Sequence, residues 1–177
     1  DQPQPAATEV LIKIEAAGIN YIDTYQRSGL YQIPLPTTLG LEASGTVEGI
    51  GSDVSRFKIG DRVAYTNVLG AYAEYSTVDQ NKVVALPDGV SFNEGAAAML
   101  QGCTAHYLSQ STYPIKKGDS CLIHAAAGGV GLILTQMAKN AGAYVIGTVS
   151  TPEKAELARS AGADEVILYS QTDFEAE

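Results

Sequence analysis

The chain has no tryptophan, two cysteines and two histidines among its 177 residues. Two cysteines, Cys103 and Cys121, cannot build a disulfide framework, so a reducing cytoplasmic setting is the expectation. Basic residues are also short. Lys and Arg number 11 against 20 Asp and Glu, a formal net charge of −9. That sign repels phosphate backbones and anionic lipid, which argues against nucleic acid or a membrane surface as main partner. No apolar run reaches the length of a membrane span. Residues Asp1-Gln2-Pro3-Gln4-Pro5 lack the basic and apolar regions of a signal peptide, so no secretory leader is expected. Internal repeats and low-complexity stretches are absent as well. What is present is a globular balance, 45% apolar and 18% charged, which places the chain outside the disordered class.

The first half reads as β-rich. Val10, Ile12 and Ile14 alternate with Lys13 and Glu15, as a half-buried strand does. Further strands are expected over 45–51, into 57–64 after a turn, and over 71–78. Gly, Asp and Ser clusters separate them, which suggests a barrel or sandwich. A short helix over Ile22–Ser28 stops at Gly29. After Leu86-Pro87-Asp88-Gly89 the pattern changes. Ser91 and Glu94 have capping-box spacing, and Ala96–Ser109 reads as a helix. Beyond the Tyr113-Pro114 break, strands over 120–125, 143–149 and 165–169 alternate with helices over 130–141 and 153–161. That alternation is the signature of a parallel sheet. The stretch after Gly118 has room for about half of a doubly wound nucleotide fold, so the chain reads as part of a longer enzyme.

The segment Ala125-Ala126-Ala127-Gly128-Gly129-Val130-Gly131 follows a strand and opens a helix. Gly128 and Gly131 match the second and third glycines of the dinucleotide fingerprint, and Ala125 replaces the first. A backbone without Cβ atoms can approach a pyrophosphate, and the helix N-terminus then faces that charge. The next strand end, Val149-Ser150-Thr151-Pro152-Glu153-Lys154, carries no acid at the position where an NAD enzyme grips the ribose. Ser150, Lys154 and the hydroxyl of Tyr169 suit a 2′-phosphate, so NADPH is the expected cofactor. Cys103 and His106, three residues apart, read as a buried thiol and a helix-packing histidine. His124 reads as structural.

Ala16 through Tyr31, Gly40-Leu41-Glu42-Ala43-Ser44-Gly45, Ile59-Gly60-Asp61-Arg62-Val63 and the Ala126–Gly131 loop together resemble the quinone oxidoreductase, or ζ-crystallin-like, branch of the medium-chain dehydrogenase/reductase superfamily. The resemblance covers nearly the whole chain. It implies an α/β architecture: a GroES-like β-rich catalytic domain with its linking helix over 1–113, then the first half of a Rossmann cofactor domain over 114–177. It implies that the rest of the cofactor domain and a returning C-terminal segment are absent, and that the complete protein is a homodimer. Zinc-dependent relatives hold catalytic zinc with Cys, His and Cys; the matching positions here are Asn20, Leu41 and Gln101, and the four-cysteine lobe is missing between Tyr65 and Tyr75. The expectation is therefore no metal. Asn20, Tyr25 and Tyr31 are the implied lining of the quinone site. Tyr21, Ile22 and Asp23 are placed along the nicotinamide and its ribose, and Thr104 and Tyr107 face the nicotinamide side. NADPH-dependent reduction of a quinone, or of a similar small electrophilic acceptor, is the leading expectation. A 2-enoyl-thioester or enone reductase and a non-catalytic NADPH-binding protein stand as alternatives.

Overall fold

The computed structural model describes residues 2–172. Packing divides the chain into two compact units, Asp1–Leu100 and Gln101–Glu177. The first is built on a five-stranded antiparallel sheet. Its strands are β1 (Glu9–Ala17), β2 (Glu42–Ile50), β3 (Arg62–Thr66), β4 (Tyr75–Asp79) and β5 (Val83–Ala85), in the order β4-β1-β2-β3-β5. Val10, Ile12, Val47, Val63, Tyr65 and Val78 form its core. Helix α1 (Tyr21–Ser28) follows β1, and Gly29 closes it with φ 79°, its N–H reaching the carbonyl of Gln26.

The alternation expected of β1 holds only in part. Leu11 is buried beside Val10 and Ile12, and the register shifts between Leu11 and Ile12 and again between Ile14 and Ala16. Such bulges re-aim side chains, so a strict two-residue period is lost. The strand expected over 71–78 begins only at Tyr75. The N–H groups of Ala71 and Tyr72 instead bond the carbonyls of Gly40 and Leu39, which takes them out of the ladder. β2 begins at Glu42, ahead of the expected Gly45, and β5 is too short to show a period.

Helix α2 (Phe92–His106) starts where its capping box puts it: Ser91 N–H donates to Glu94 Oε2 at 2.8 Å. It ends before the expected Ser109 and passes into a π-helical turn over Tyr107–Thr112. There the Ser109 hydroxyl donates to the carbonyl of Ala105 at 2.8 Å, competing with the helical ladder.

The second unit holds a parallel sheet of β6 (Ser120–His124), β7 (Tyr144–Val149) and β8 (Glu165–Leu168), in the order β6-β7-β8. Helices α3 (Gly129–Asn140) and α4 (Pro152–Ser160) make the crossovers. Its core pairs Ile123, Val145 and Val149 with alanines, among them Ala126, Ala138, Ala155 and Ala158. Those small residues let the helices sit close to the sheet. A Cβ on Gly147 would come within 2.7 Å of the Ala126 Cβ, so this strand position stays bare. The fully buried face of α3 is Gly131, Thr135 and Ala138, while Val130, Ile133 and Leu134 are half-buried.

Candidate active site

In the first unit the site is organised by one buried polar chain. Asn20 is the residue before α1, with extended backbone (φ −129°, ψ 153°), and it is 8% exposed. Its backbone N–H donates to Asp23 Oδ2 at 2.8 Å, which ties the first turn of the helix. The hydroxyl of Tyr72 donates to the same oxygen at 2.6 Å. Burial, and then the Asp23 carboxylate, push that hydroxyl well above the ordinary phenol range. The other oxygen of Asp23, Oδ1, is buried without a hydrogen-bond partner among the described residues. Behind Asn20, Nδ2 donates to Glu42 Oε1 at 2.7 Å, and Glu42 Oε2 accepts the backbone N–H of Leu100 at 2.6 Å.

Two cavities open beside this chain. One, of about 400 Å³, is lined by Ile19, Asn20, Asp23, Thr24, Arg27 and Tyr72, with Leu39. The other, of about 520 Å³, has Tyr31, Gln32, Ile33 and Leu35 in its wall and shares Arg27 and Leu39 with the first. The tyrosines implied by resemblance do come together. The rings of Tyr21 and Tyr25 lie 5.6 Å apart and those of Tyr25 and Tyr31 5.4 Å apart, both tilted. Tyr31 lines the larger cavity and Asn20 the smaller. Tyr21 stands 76% exposed, and Ile22 is half-buried.

Tyr72 and Glu42 escaped the sequence reading. Tyr72 sat inside a run that looked like a strand. Glu42 had a signal, a charged residue within the small and apolar run Gly40–Gly45, which only burial makes meaningful.

In the second unit Gly128 precedes α3 with extended backbone (φ −80°, ψ 169°), and Gly129, Val130 and Gly131 form the first turn. A Cβ on Gly131 would overlap the backbone of Ala125 and Ala126, so this turn requires glycine there. Ala125, standing for the first fingerprint glycine, takes a left-handed φ of 50° that L residues seldom adopt. Gly128 and Gly129 are exposed at the helix N-terminus, and the Gln101 side chain lies where a Cβ on Gly129 would stand. At the end of β7, Lys154 Nζ donates to Ser150 Oγ at 3.1 Å, and Ser170 Oγ donates to the Ser150 carbonyl at 2.8 Å. The cap of α4 is Thr151, whose hydroxyl accepts the N–H of Lys154, so the Ser150 hydroxyl has no capping duty. Glu153 hydrogen-bonds the Thr151 side chain, which holds its carboxyl below the usual range. Tyr169 follows β8 and is 50% exposed.

Thr104 lies half-buried on α2, and Tyr107 opens the π-helical turn, 57% exposed. His124 Nδ1 lies 3.1 Å from the hydroxyl of its parallel neighbour Thr148. Cys103 and His106 correct the sequence reading: both are exposed, because the buried line of α2 runs through Gly95, Ala96 and Ala105. Among the described residues no three His, Cys, Asp or Glu are grouped to hold a metal, and no helix is long and apolar enough to cross a membrane.

Residues 6–88 match the alcohol dehydrogenase GroES-like domain, and residues 129–177 match the zinc-binding dehydrogenase family. The chain is 54% identical over 169 residues to the quinone oxidoreductase of Pseudomonas aeruginosa, a match covering 94% of this chain and 52% of that protein. It belongs to the quinone oxidoreductase branch of the medium-chain dehydrogenase/reductase superfamily. The crystal structure of Pseudomonas syringae quinone oxidoreductase superposes with a TM-score of 0.96 at 49% identity, covering 99% of this chain and 55% of that one. The Escherichia coli quinone oxidoreductase complexed with NADPH gives 0.94 at 49% identity, covering 97% and 53%. The chain thus spans about half the length of the quinone oxidoreductases it matches. Its β-rich first unit and parallel second sheet are the GroES-like and Rossmann-type parts of that fold.

Proposed function

We propose that the chain is part of an NADPH-dependent, zinc-independent quinone reductase that works in the cytoplasm as a homodimer. The observation that carries this reading is the polar end of β7. Ser150, Lys154 and Ser170 cluster there beside the exposed Tyr169, and the nearby acid, Glu153, is engaged with Thr151. That composition suits a 2′-phosphate and offers no carboxylate to a bare ribose. Gly128, Gly129 and Gly131 at the start of a twelve-residue helix suit a pyrophosphate. Bound NADPH supplies the hydride.

The residues of this chain then have limited work to do. A quinone accepts hydride readily, so hydrogen-bond donors aimed at its developing oxyanion replace a Lewis acid. Asn20, Tyr25 and Tyr31 are the donors assigned to that task. Asp23, with one oxygen held by Tyr72 and one unpartnered, fits a hydroxyl donor on a bound ligand. Thr104 and Tyr107 are assigned to the nicotinamide side. Two unpaired cysteines suit a reducing compartment. The test is steady-state oxidation of NADPH and of NADH by the full-length protein, with a quinone and with a 2-enoyl thioester as acceptors. NADPH with the quinone should be the preferred pair; faster turnover of the thioester, or a preference for NADH, overturns the reading. Sedimentation of the same sample tests the dimer.

A further inference from the structure

Arg27 lies in the last turn of α1. Asn20, Asp23, Thr24 and Arg27 recur at helical spacing, which places them on one face, and all four line the smaller cavity. Arg27 also enters the wall of the larger cavity, where among the described residues it is the one charged side chain. It is exposed, and it forms no hydrogen bond, ion pair or ring contact among the described residues. A carboxylate four residues earlier on a helix is a common partner for an arginine. Asp23 stands there, but its Oδ2 already accepts from the Tyr72 hydroxyl and the Asn20 N–H. The guanidinium is left over at the boundary of two cavities, in a chain whose net charge is −9. Its planar fork of donors matches the paired oxygens of an oxyanion. It also stands about two turns beyond Asn20, roughly 10 Å along the helix axis. That is the length of a bicyclic aromatic acceptor.

We propose that Arg27 determines acceptor specificity: it binds an anionic substituent, carboxylate or sulfonate, on the far side of the acceptor from the oxygen that meets Asn20. The enzyme then prefers anionic over neutral electrophiles. The inference rests on the reading of this face of α1 as the acceptor site of a quinone reductase.

The experiment uses the full-length protein and two acceptors, naphthoquinone and a naphthoquinone sulfonated on its benzo ring. The parent is compared with Arg27→Lys and Arg27→Met. The quantity read is the ratio of kcat/KM for the sulfonated acceptor to that for the neutral one. Dividing each variant's ratio by the parent's cancels intrinsic reactivity and any general loss of activity. Arg27→Met should lower the ratio roughly tenfold, the worth of one charge-assisted contact at an exposed site. Arg27→Lys should fall between, because it keeps the charge and loses the fork. Added salt should lower the parent's ratio and leave that of Arg27→Met level. Naphthalene sulfonate cannot be reduced in this way. It should inhibit turnover of the neutral quinone with a Ki roughly tenfold lower in the parent than in Arg27→Met.

An unchanged ratio in Arg27→Met overturns the specificity role. So does a loss shared equally by both acceptors, which is what an arginine serving only the helix C-terminus would give. No turnover of either acceptor by the parent would instead overturn the quinone reductase reading, and this inference with it.

Discussion

The hydroxyl of Tyr72 donates to Asp23 Oδ2 at 2.6 Å, and the same oxygen accepts the backbone N–H of Asn20 at 2.8 Å. A bend ahead of β4 is thereby fastened to the first turn of α1, across 49 residues of sequence. Asp23 is the residue through which the wall of the smaller cavity is held in place.

Removing the hydroxyl tests that role. Tyr72→Phe keeps the ring and loses the donor. A hydrogen bond to a charged group is worth about 1.5–3 kcal/mol, and the 39% exposure of Tyr72 discounts this to about 1 kcal/mol. Denaturant unfolding of full-length protein should show that loss. The pH dependence has a definite sign. The unfolded phenol gives up its proton near the ordinary value of 10.0, whereas the folded one keeps it to higher pH. The contribution of Tyr72 to stability is therefore intact below pH 10 and is lost as pH rises through the folded value. Parent and variant stabilities should converge in that alkaline range, and a constant difference there contradicts the arrangement.

Asp164 makes the opposite prediction at the acid end. Lys139 Nζ lies 2.8 and 2.7 Å from its two oxygens, and the N–H of Val145 donates to Oδ2 at 2.7 Å. Lys139, first among these, and the Val145 N–H hold the carboxyl below its usual range. The folded state thus binds this proton less tightly than the unfolded state. Stability from Asp164 is present above the ordinary value of 3.8 and lost as pH falls through the lower folded value. Asp164→Asn should be less stable than the parent at neutral pH, with the difference shrinking in acid titration. A difference that persists unchanged through that range would show that the ion pair contributes nothing.

How much of this was legible depended on the range of the interactions. The parallel sheet was readable because its signals are local: an apolar run, Gly128 to Gly131, then a helical period ending near Gly142. The resemblance located Asn20, Tyr25 and Tyr31 on α1 and the loop behind it. The polar chain around Asn20 was not readable. Glu42 meets Asn20 across 22 residues and Leu100 across 58, and no periodicity records such pairings. Tyr72 was hidden for another reason. The alternation of Ala71 to Val78 is that of a strand, but bonds to Leu39 and Gly40 hold its first part out of the sheet. Cys103 and His106 were misplaced because α2 buries its small residues, which inverts the usual assumption that a thiol packs inward.

Metal content follows from Asn20, Leu41 and Gln101. An amide oxygen is a poor zinc ligand and a leucine is none. One N–H of the Asn20 amide is given to Glu42. Elemental analysis of dialysed full-length protein should find less than stoichiometric zinc, and quinone reduction should continue in the presence of a chelator. One zinc per chain that tracks with activity would refute zinc independence.

Cofactor choice turns on Lys154. Its ammonium lies 3.1 Å from the Ser150 hydroxyl and is exposed, so it is available to an anion without breaking a buried contact. Charge-assisted contacts are worth about 1.5–3 kcal/mol, and exposure puts this one at the low end, roughly tenfold in affinity. Lys154→Ala in the full-length protein should raise the Kd for NADPH by about that factor, most at low salt. NADH lacks the phosphate, and its Kd should not move. Turnover at saturating NADPH should stay near parental, because the contact is made equally in the ground and transition states. The cap of α4 is Thr151, so the substitution leaves the helix start intact and a fall in stability is not expected. Equal weakening of both dinucleotides, or of neither, would make Lys154 a surface lysine and leave the preference for NADPH resting on Ser150, Ser170 and the missing acid alone.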